Sequence, residues 1–255
     1  MNAALPIKIR KGTGDIIVLL HGLGNNYKSW TYVLDTFDYT KNEIIAVDLL
    51  GFGDADKPRH CDYSVSDHAA AVIRTLDEAG VRRATIAGHS MGCIVAIEVA
   101  TQRPDLATKL VLLGAPLFER IPGKRSRFTF WKKEDFYSKL FRLISTEKDL
   151  TLGAAEGVDQ LLPLIKGMEV TEETWLAFKK SMQNTIMQTK SFTDVAALTM
   201  PTRLIYGHLD LFVIKKNLKK AARRNKKHVT FETALGPHEI IPMHGKTIAT
   251  LLQDS

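Results

Sequence analysis

The stretch Gly88-His89-Ser90-Met91-Gly92 sets a serine between two glycines, each two residues away. It follows a short apolar run, Thr85–Ala87, and opens an apolar helical pattern over Met91–Gln102. A serine at such a strand-to-helix turn presents its hydroxyl as a nucleophile. Side chains two residues to either side would collide with neighbouring backbone, which accounts for Gly88 and Gly92. The helix beginning just past Ser90 offers amide groups to a developing oxyanion. A second glycine-rich stretch, His21-Gly22-Leu23-Gly24-Asn25-Asn26, directly follows the apolar run Ile16–Leu20. A loop there turns a backbone N–H inward, so the amides of Leu23 and Met91 are expected to form a two-donor oxyanion hole. The chemistry on offer is attack on a carbonyl carbon. A serine hydroxyl is a weak nucleophile, so it also needs a base, and the base needs an acid to orient it.

The elements that must position these groups are legible as short apolar runs alternating with helical patterns. Strands are expected at Ile7–Arg10, Ile16–Leu20, Ile44–Val47, Thr85–Ala87, Leu110–Leu113, Arg203–Tyr206 and Val229–Thr233. Most are β-branched, apolar and closed by Gly, Asp or Pro, as strands buried on both faces are. Helices are expected over Ser66–Ala79 with Ser66 as N-cap, over Met91–Gln102, and over His244–Gln253. The alternation implies an α/β fold with a mostly parallel sheet and right-handed crossovers. Residues 117–198 break it, with helical patterns and no convincing strand. Much of the aromatic content lies there, including Phe128, Phe130, Trp131, Phe141, Trp175 and Phe178. Inserted between two parallel strands, this stretch is expected to form a helical cap over the strands' carboxyl ends, where open α/β sheets bind ligands. Residues 1–116 and 199–255 would then be the core.

In the order of these motifs the chain resembles the α/β-hydrolase superfamily, in its cap-bearing branch of small esterases, lactonases and carbon–carbon bond hydrolases. The resemblance runs from about Ile7 to the C-terminus and includes the segment from Asp48 through Gly51-Phe52-Gly53 to Pro58, which is similar to the family's loop after its second conserved strand. There are departures. Ala55 stands where many relatives have Ser, Cys93 follows Gly92 where another Gly is frequent, and the region before Ile16 is short enough that a leading antiparallel strand is expected to be missing.

The resemblance implies the chain order serine, acid, histidine. Asp210, in Gly207-His208-Leu209-Asp210 beyond Tyr206, stands where the family's acid usually sits. After the strand Leu110–Leu113 there is no carboxylate until Glu119. Three histidines come after Asp210. His228 precedes the last strand, at the wrong end of the sheet, and His244 begins the terminal helix. His238, in Leu235-Gly236-Pro237-His238-Glu239, follows the last strand and matches the family's Gly-His position with Pro237 inserted. Ser90, Asp210 and His238 are therefore the expected catalytic residues. Gly22, Gly88 and Gly92 shape the site, His21 braces the oxyanion loop and His89 supports the elbow. His208 precedes the acid, and His60 and His68 read as surface or capping groups.

Composition narrows the function classes. The chain is 255 residues long, 45% hydrophobic and 25% charged, as a globular protein of one large or two small domains is. No apolar run approaches a membrane span, and the N-terminus lacks a signal-peptide stretch, so a cytoplasmic protein with no stable membrane insertion is expected. Cys61 and Cys93 are too few for a disulfide framework and neither has metal-ligand spacing. No metal motif or glycine-rich nucleotide fingerprint occurs, so no metal and no cofactor are expected. The formal charge of +7 is concentrated in Lys215–Lys227, which holds eight basic residues and no acid. Without interleaved aromatics it reads as a solvated helix face, and no nucleic-acid partner is expected.

The first expectation is a serine hydrolase cleaving short to medium carboxylic esters of a small apolar substrate through an acyl-enzyme. Serine at the elbow argues against the relatives that use aspartate there, the haloalkane dehalogenases and epoxide hydrolases. Carbon–carbon cleavage and lactone opening are the alternatives within the family. The carbon–carbon enzymes commonly have Asn where this chain has His89, which favours esters. A ligand receptor of the same fold, retaining the three residues and turning over slowly, is the alternative outside enzymes.

Overall fold

The computed structural model describes residues 3–119, 133–157, 168–234 and 236–253, with only the backbone of 133–135. Seven strands form one sheet: β1 (Ile7–Gly12), β2 (Asp15–Leu20), β3 (Asn42–Val47), β4 (Ala84–His89), β5 (Ala107–Leu113), β6 (Thr202–Gly207) and β7 (Val229–Ala234). Their order across the sheet is β1-β3-β2-β4-β5-β6-β7. β1 runs antiparallel to β3 and every other pairing is parallel. The sheet is mostly parallel and flanked by helices, as the resemblance implies. Each strand outruns its apolar run by one or more residues, because the flanking residues still pair in the ladder.

Alternation along the strands divides the core in two. Val18, Leu20, Ile45, Val47, Ile86, Leu110, Leu112 and Leu204 face one side, with α2 (Val65–Glu78), α3 (Met91–Gln102) and α8 (Lys215–Arg224). Ile17, Leu19, Ile44, Ala46, Ala87, Val111, Leu113 and Ile205 face the other, against Trp30, α1 (Thr31–Leu34) and α9 (Pro242–Gln253). Each face buries β-branched or leucine side chains, so the sheet ends stand where both layers fix them. Helix α2 departs from expectation. Its N-cap is Ser64, not Ser66, because Ser64 Oγ accepts the Asp67 amide while Asp67 accepts the Ser64 amide in return.

Between β5 and β6 the described residues form α4 (Lys133–Thr146), α5 (Lys148–Ala155), α6 (Trp175–Ser181) and α7 (Ser191–Ala197), with no strand among them. Past Ser181 the chain winds one π turn, Met182–Ile186, with the Met187 amide donating to the Met182 carbonyl at 2.9 Å. This turn docks on the chain before α2. Thr185 Oγ1 donates to the Tyr63 carbonyl at 2.8 Å and Asn184 Nδ2 to the Asp62 carbonyl at 2.6 Å. His68, read as a surface or capping group, is instead fully buried and bonds Ser181 Oγ at 3.0 Å. His60 is exposed. Trp131, Phe128 and Phe130 lie outside the described residues.

Candidate functional site

The carboxyl ends of β2 through β7 deliver one group each to a common edge of the sheet. Gly88 of β4 pairs with Leu20 of β2 and Leu112 of β5, and Gly207 of β6 pairs with Ala234 of β7, so these strands end at similar height. Beyond them come the loop from His21, Asp48, Ser90, Gly114, Asp210 and His238.

Ser90 sits at the apex between β4 and α3 with φ 52° and ψ −118°. A side chain in this conformation costs on the order of 1–3 kcal/mol and persists only where its surroundings over-determine it. They do so here. The Ser90 amide donates to the Leu113 carbonyl at 2.9 Å. A Cβ on Gly92 would stand 2.3 Å from the Leu20 carbonyl oxygen, and one on Gly88 2.4 Å from that of Gly92. Both glycines are required by backbone-to-backbone approach. Ser90 makes no capping bond to α3, so its hydroxyl is left to the cavity it lines.

Asp210 and His238 meet behind that cavity. Nδ1 of His238 donates to Oδ2 of Asp210 at 2.8 Å. The other carboxylate oxygen, Oδ1, accepts the amides of Phe212 at 2.8 Å and Val213 at 3.1 Å. Only 1% of the Asp210 side chain and 10% of the His238 side chain is exposed, so the pair is shielded from water. With Nδ1 donating, Nε2 of a neutral His238 is an acceptor. The imidazole is held by its neighbours too. His89 Nε2 donates to the His238 carbonyl at 2.8 Å, and the Phe212 and His89 rings stand 4.8 and 5.0 Å from the His238 ring. Gly114, at φ 61°, completes the fit. A Cβ there would approach His238 to 3.1 Å and Asp210 to 3.3 Å.

The loop after β2 is braced from two sides by the core. His21 is fully buried, donates from Nδ1 to the Gly22 carbonyl at 2.8 Å and accepts the Leu49 amide on Nε2 at 2.8 Å. Burial pushes its pKa down to about 4, which keeps it neutral and able to accept that amide. His89 is likewise pushed down to about 3, by burial and then by the facing His238. Asp48 accepts the amides of Tyr27 at 2.8 Å and Asp54 at 3.0 Å, and Gly53 leaves room for its carboxylate. Leu23 lines the cavity and Met91 is fully buried at the first position of α3. Among the described residues, neither amide donates to a backbone carbonyl.

The cavity has a volume of about 120 Å³, lined on one side by Leu23, Ser90 and His238. Phe141, Ile144, Phe178 and Met182 line it from the segment between β5 and β6. Trp175, one of the aromatic residues of this segment, does not line the cavity but stacks on Phe178 with ring centroids 6.1 Å apart. Glu239 is the one acidic lining residue, and no Lys or Arg lines the cavity among the described residues.

Ser90, Asp210 and His238 thus lie at this edge, together with His21, Gly22, Leu23, Gly88, His89, Met91 and Gly92. His208 is exposed, and His228 precedes β7 at the opposite edge, where its carbonyl accepts the Thr202 amide at 2.7 Å. His244 is buried in the first turn of α9 against Gly236. Gly114 was not singled out, although a glycine closing an apolar strand was its signal. Among the described residues no three His, Cys, Asp or Glu side chains converge as metal ligands would, and no helix is long and apolar enough to cross a membrane.

Residues 15–241 match the alpha/beta hydrolase fold family. The AB hydrolase superfamily protein YisY of Bacillus subtilis is 28% identical over 231 residues, covering 84% of this chain and 82% of that protein. An uncharacterized protein of Mycobacterium tuberculosis is 41% identical over 104 residues, which span 41% of this chain and 30% of that protein's length. The esterase of Exiguobacterium antarcticum superposes with a TM-score of 0.76 at 17% identity, over 100% of this chain and 98% of that one, a likeness of fold alone. With a seven-stranded sheet of this order and a family match across most of its length, the chain belongs to the α/β-hydrolase family.

Proposed function

We propose that the protein is a serine hydrolase cleaving short to medium carboxylic esters through an acyl-enzyme. The observation that carries this reading is Ser90 at φ 52° on the wall of the cavity that His238, bonded to Asp210, also lines. Ser90 Oγ attacks the ester carbonyl while His238 Nε2 takes its proton, and the carbonyl oxygen gains charge facing the amides of Leu23 and Met91. Collapse of this intermediate expels the alcohol, which receives the proton from His238. Water, deprotonated by His238, then attacks the acyl-enzyme, and collapse releases the acid while His238 returns the proton to Ser90 Oγ. Asp210 steadies the imidazolium in both halves. Residues 117–198 act as a cap whose apolar wall receives the acyl chain.

The wall supports an ester over a carboxylate-bearing dienoic substrate. Such a substrate calls for a cation, and among the described residues the one charged lining side chain besides histidine is Glu239. The test is steady-state turnover of p-nitrophenyl esters beside lactones and dienoic ring-cleavage products. Sustained release from neutral esters is expected. Turnover confined to the dienoic acids, or a single burst without turnover, would overturn the reading.

A further inference from the structure

The loop carrying the Leu23 amide has a third tether, and it comes from the segment between β5 and β6. The Glu169 amide donates to the Gly24 carbonyl at 2.6 Å. Asn26 Nδ2 donates to Glu169 Oε2 at 2.5 Å, while Asn26 Oδ1 accepts the Lys28 amide at 2.8 Å. Asn26 is 7% exposed, so its amide group is committed to these two partners. Gly24, at φ 64°, lets Met168 and Val170 close on the loop: a Cβ there would stand 3.2 Å from Met168 and 3.3 Å from Val170. The Glu169 carbonyl in turn accepts Thr174 Oγ1 at 3.0 Å, just before α6, whose Phe178 lines the cavity. One short strip, residues 168–170, therefore grips the loop on one side and leads into the cavity wall on the other.

We propose that Glu169 is a positioning residue that couples the seating of the cap to the placement of the Leu23 amide in the oxyanion hole. The proposal rests on the serine-hydrolase reading above. His21 and Asp48 hold the loop from the core whatever the cap does, whereas Glu169 reaches it only when residues 168–170 are in place. The hydrogen bond from Asn26 is charge-assisted, which makes it stronger than a neutral pair and dependent on the acceptor's geometry. Its effect falls on the transition state, because the carbonyl oxygen gains charge only after Ser90 attacks.

The test compares Glu169→Ala, Glu169→Gln, Asn26→Asp and the double variant Asn26→Asp/Glu169→Gln with wild type. The readouts are kcat, KM, thermal midpoint and affinity for a trifluoromethyl ketone. Such a ketone adds reversibly to Ser90 Oγ, whose proton passes to His238, and leaves its oxygen as an anion at the two amides. Glu169→Ala should lower kcat and ketone affinity together by about tenfold, the effect of one charge-assisted bond, with KM nearly unchanged. Glu169→Gln still offers an acceptor and should retain most of both. Asn26→Asp sets two carboxylates against each other and should lose both, and the double variant restores donor and acceptor in exchanged order and should recover them. Wild-type kcat and ketone affinity in Glu169→Ala would overturn the coupling, as would losses that follow the thermal midpoint without rescue in the double variant. Ser90→Ala is assayed alongside. If it keeps its activity the serine-hydrolase reading itself fails, whereas an inactive Ser90→Ala beside a fully active Glu169→Ala refutes the coupling alone.

Discussion

Gly114 follows β5 at φ 61°, and the His238 imidazole, whose Nδ1 donates to Asp210 Oδ2 at 2.8 Å, packs so close that a Cβ on Gly114 would stand 3.1 Å from it. An alanine there would be strained in backbone and crowded against both partners. Gly114→Ala is expected to lower kcat by ten- to a hundredfold, since small misplacements of reacting groups cost that much, while the circular dichroism stays native. Asp210→Asn removes the anion facing the imidazolium and is expected to cost orders of magnitude more. Kinetics of both variants on one ester check this. A Gly114→Ala enzyme with wild-type kcat would show that His238 has room to spare.

Acyl-chain preference follows from the cavity. Its volume of about 120 Å³ is a little below the roughly 150 Å³ that holds a benzene ring. Each buried methylene contributes about 0.8 kcal/mol, several-fold in kcat/KM, until the wall is met. The specificity constant is expected to rise from acetyl to butyryl esters and to fall beyond about six to eight carbons. Phe141→Leu, which trims the cap side of the wall, should move the optimum to longer chains. A wild-type preference for long-chain triglycerides would contradict this.

Acid is expected to destabilise the fold through buried imidazoles. Burial pushes His21 and His68 down to about 4 and His89 to about 3, from an ordinary 6.5. Between pH 6.5 and about 4 the unfolded chain binds protons that the folded chain does not. Stability is therefore fully present above 6.5 and falls as the pH falls, by up to about 1.4 kcal/mol per pH unit for each residue. Urea midpoints measured from about pH 7.5 to about pH 5 check the sign. His68→Gln keeps a partner for Ser181 and should make the slope shallower. A midpoint independent of pH, or one rising toward acid, would contradict the assignment.

The basic face of α8 is expected to be silent in catalysis. It lies along the flank of the sheet, where Lys220 pairs with Glu119 and the Arg224 guanidinium lies 4.9 Å from the Phe192 ring centroid. Changing Lys219, Lys220, Arg223 and Arg224 together to Gln should leave ester turnover within about twofold, because solvent and salt screen remote charges. A larger loss would tie this face to the site.

What the sequence made legible is what nearby residues decide. Central parallel strands buried on both faces read as unbroken apolar runs at Ile16, Ile44 and Leu110, whereas the edge strands that start at Ile7 and Val229 alternate apolar with polar side chains. Gly88 and Gly92 follow from contacts within one turn of chain and the adjacent strand end. The Ser64 cap was hidden because its partner is Asp67 in place of the usual Glu or Gln. Contacts across the fold left no local mark at all. His68 is buried because Ser181 lies over it, and Glu169 acquires its place from Asn26, 143 residues earlier. Neither has a spacing that sequence reasoning could use.

If Ser90 is the nucleophile, active-site mass spectrometry combined with Ser90→Ala kinetics will show it. After reaction with a fluorophosphonate, or brief exposure to a slowly hydrolysed p-nitrophenyl ester, wild-type protein should carry one adduct, mapped by peptide analysis to Ser90. Ser90→Ala should carry none and should lose roughly 10⁴-fold or more in kcat while remaining folded. An adduct on another residue, or a Ser90→Ala protein that keeps a tenth of the wild-type activity, would mean that the nucleophile lies elsewhere.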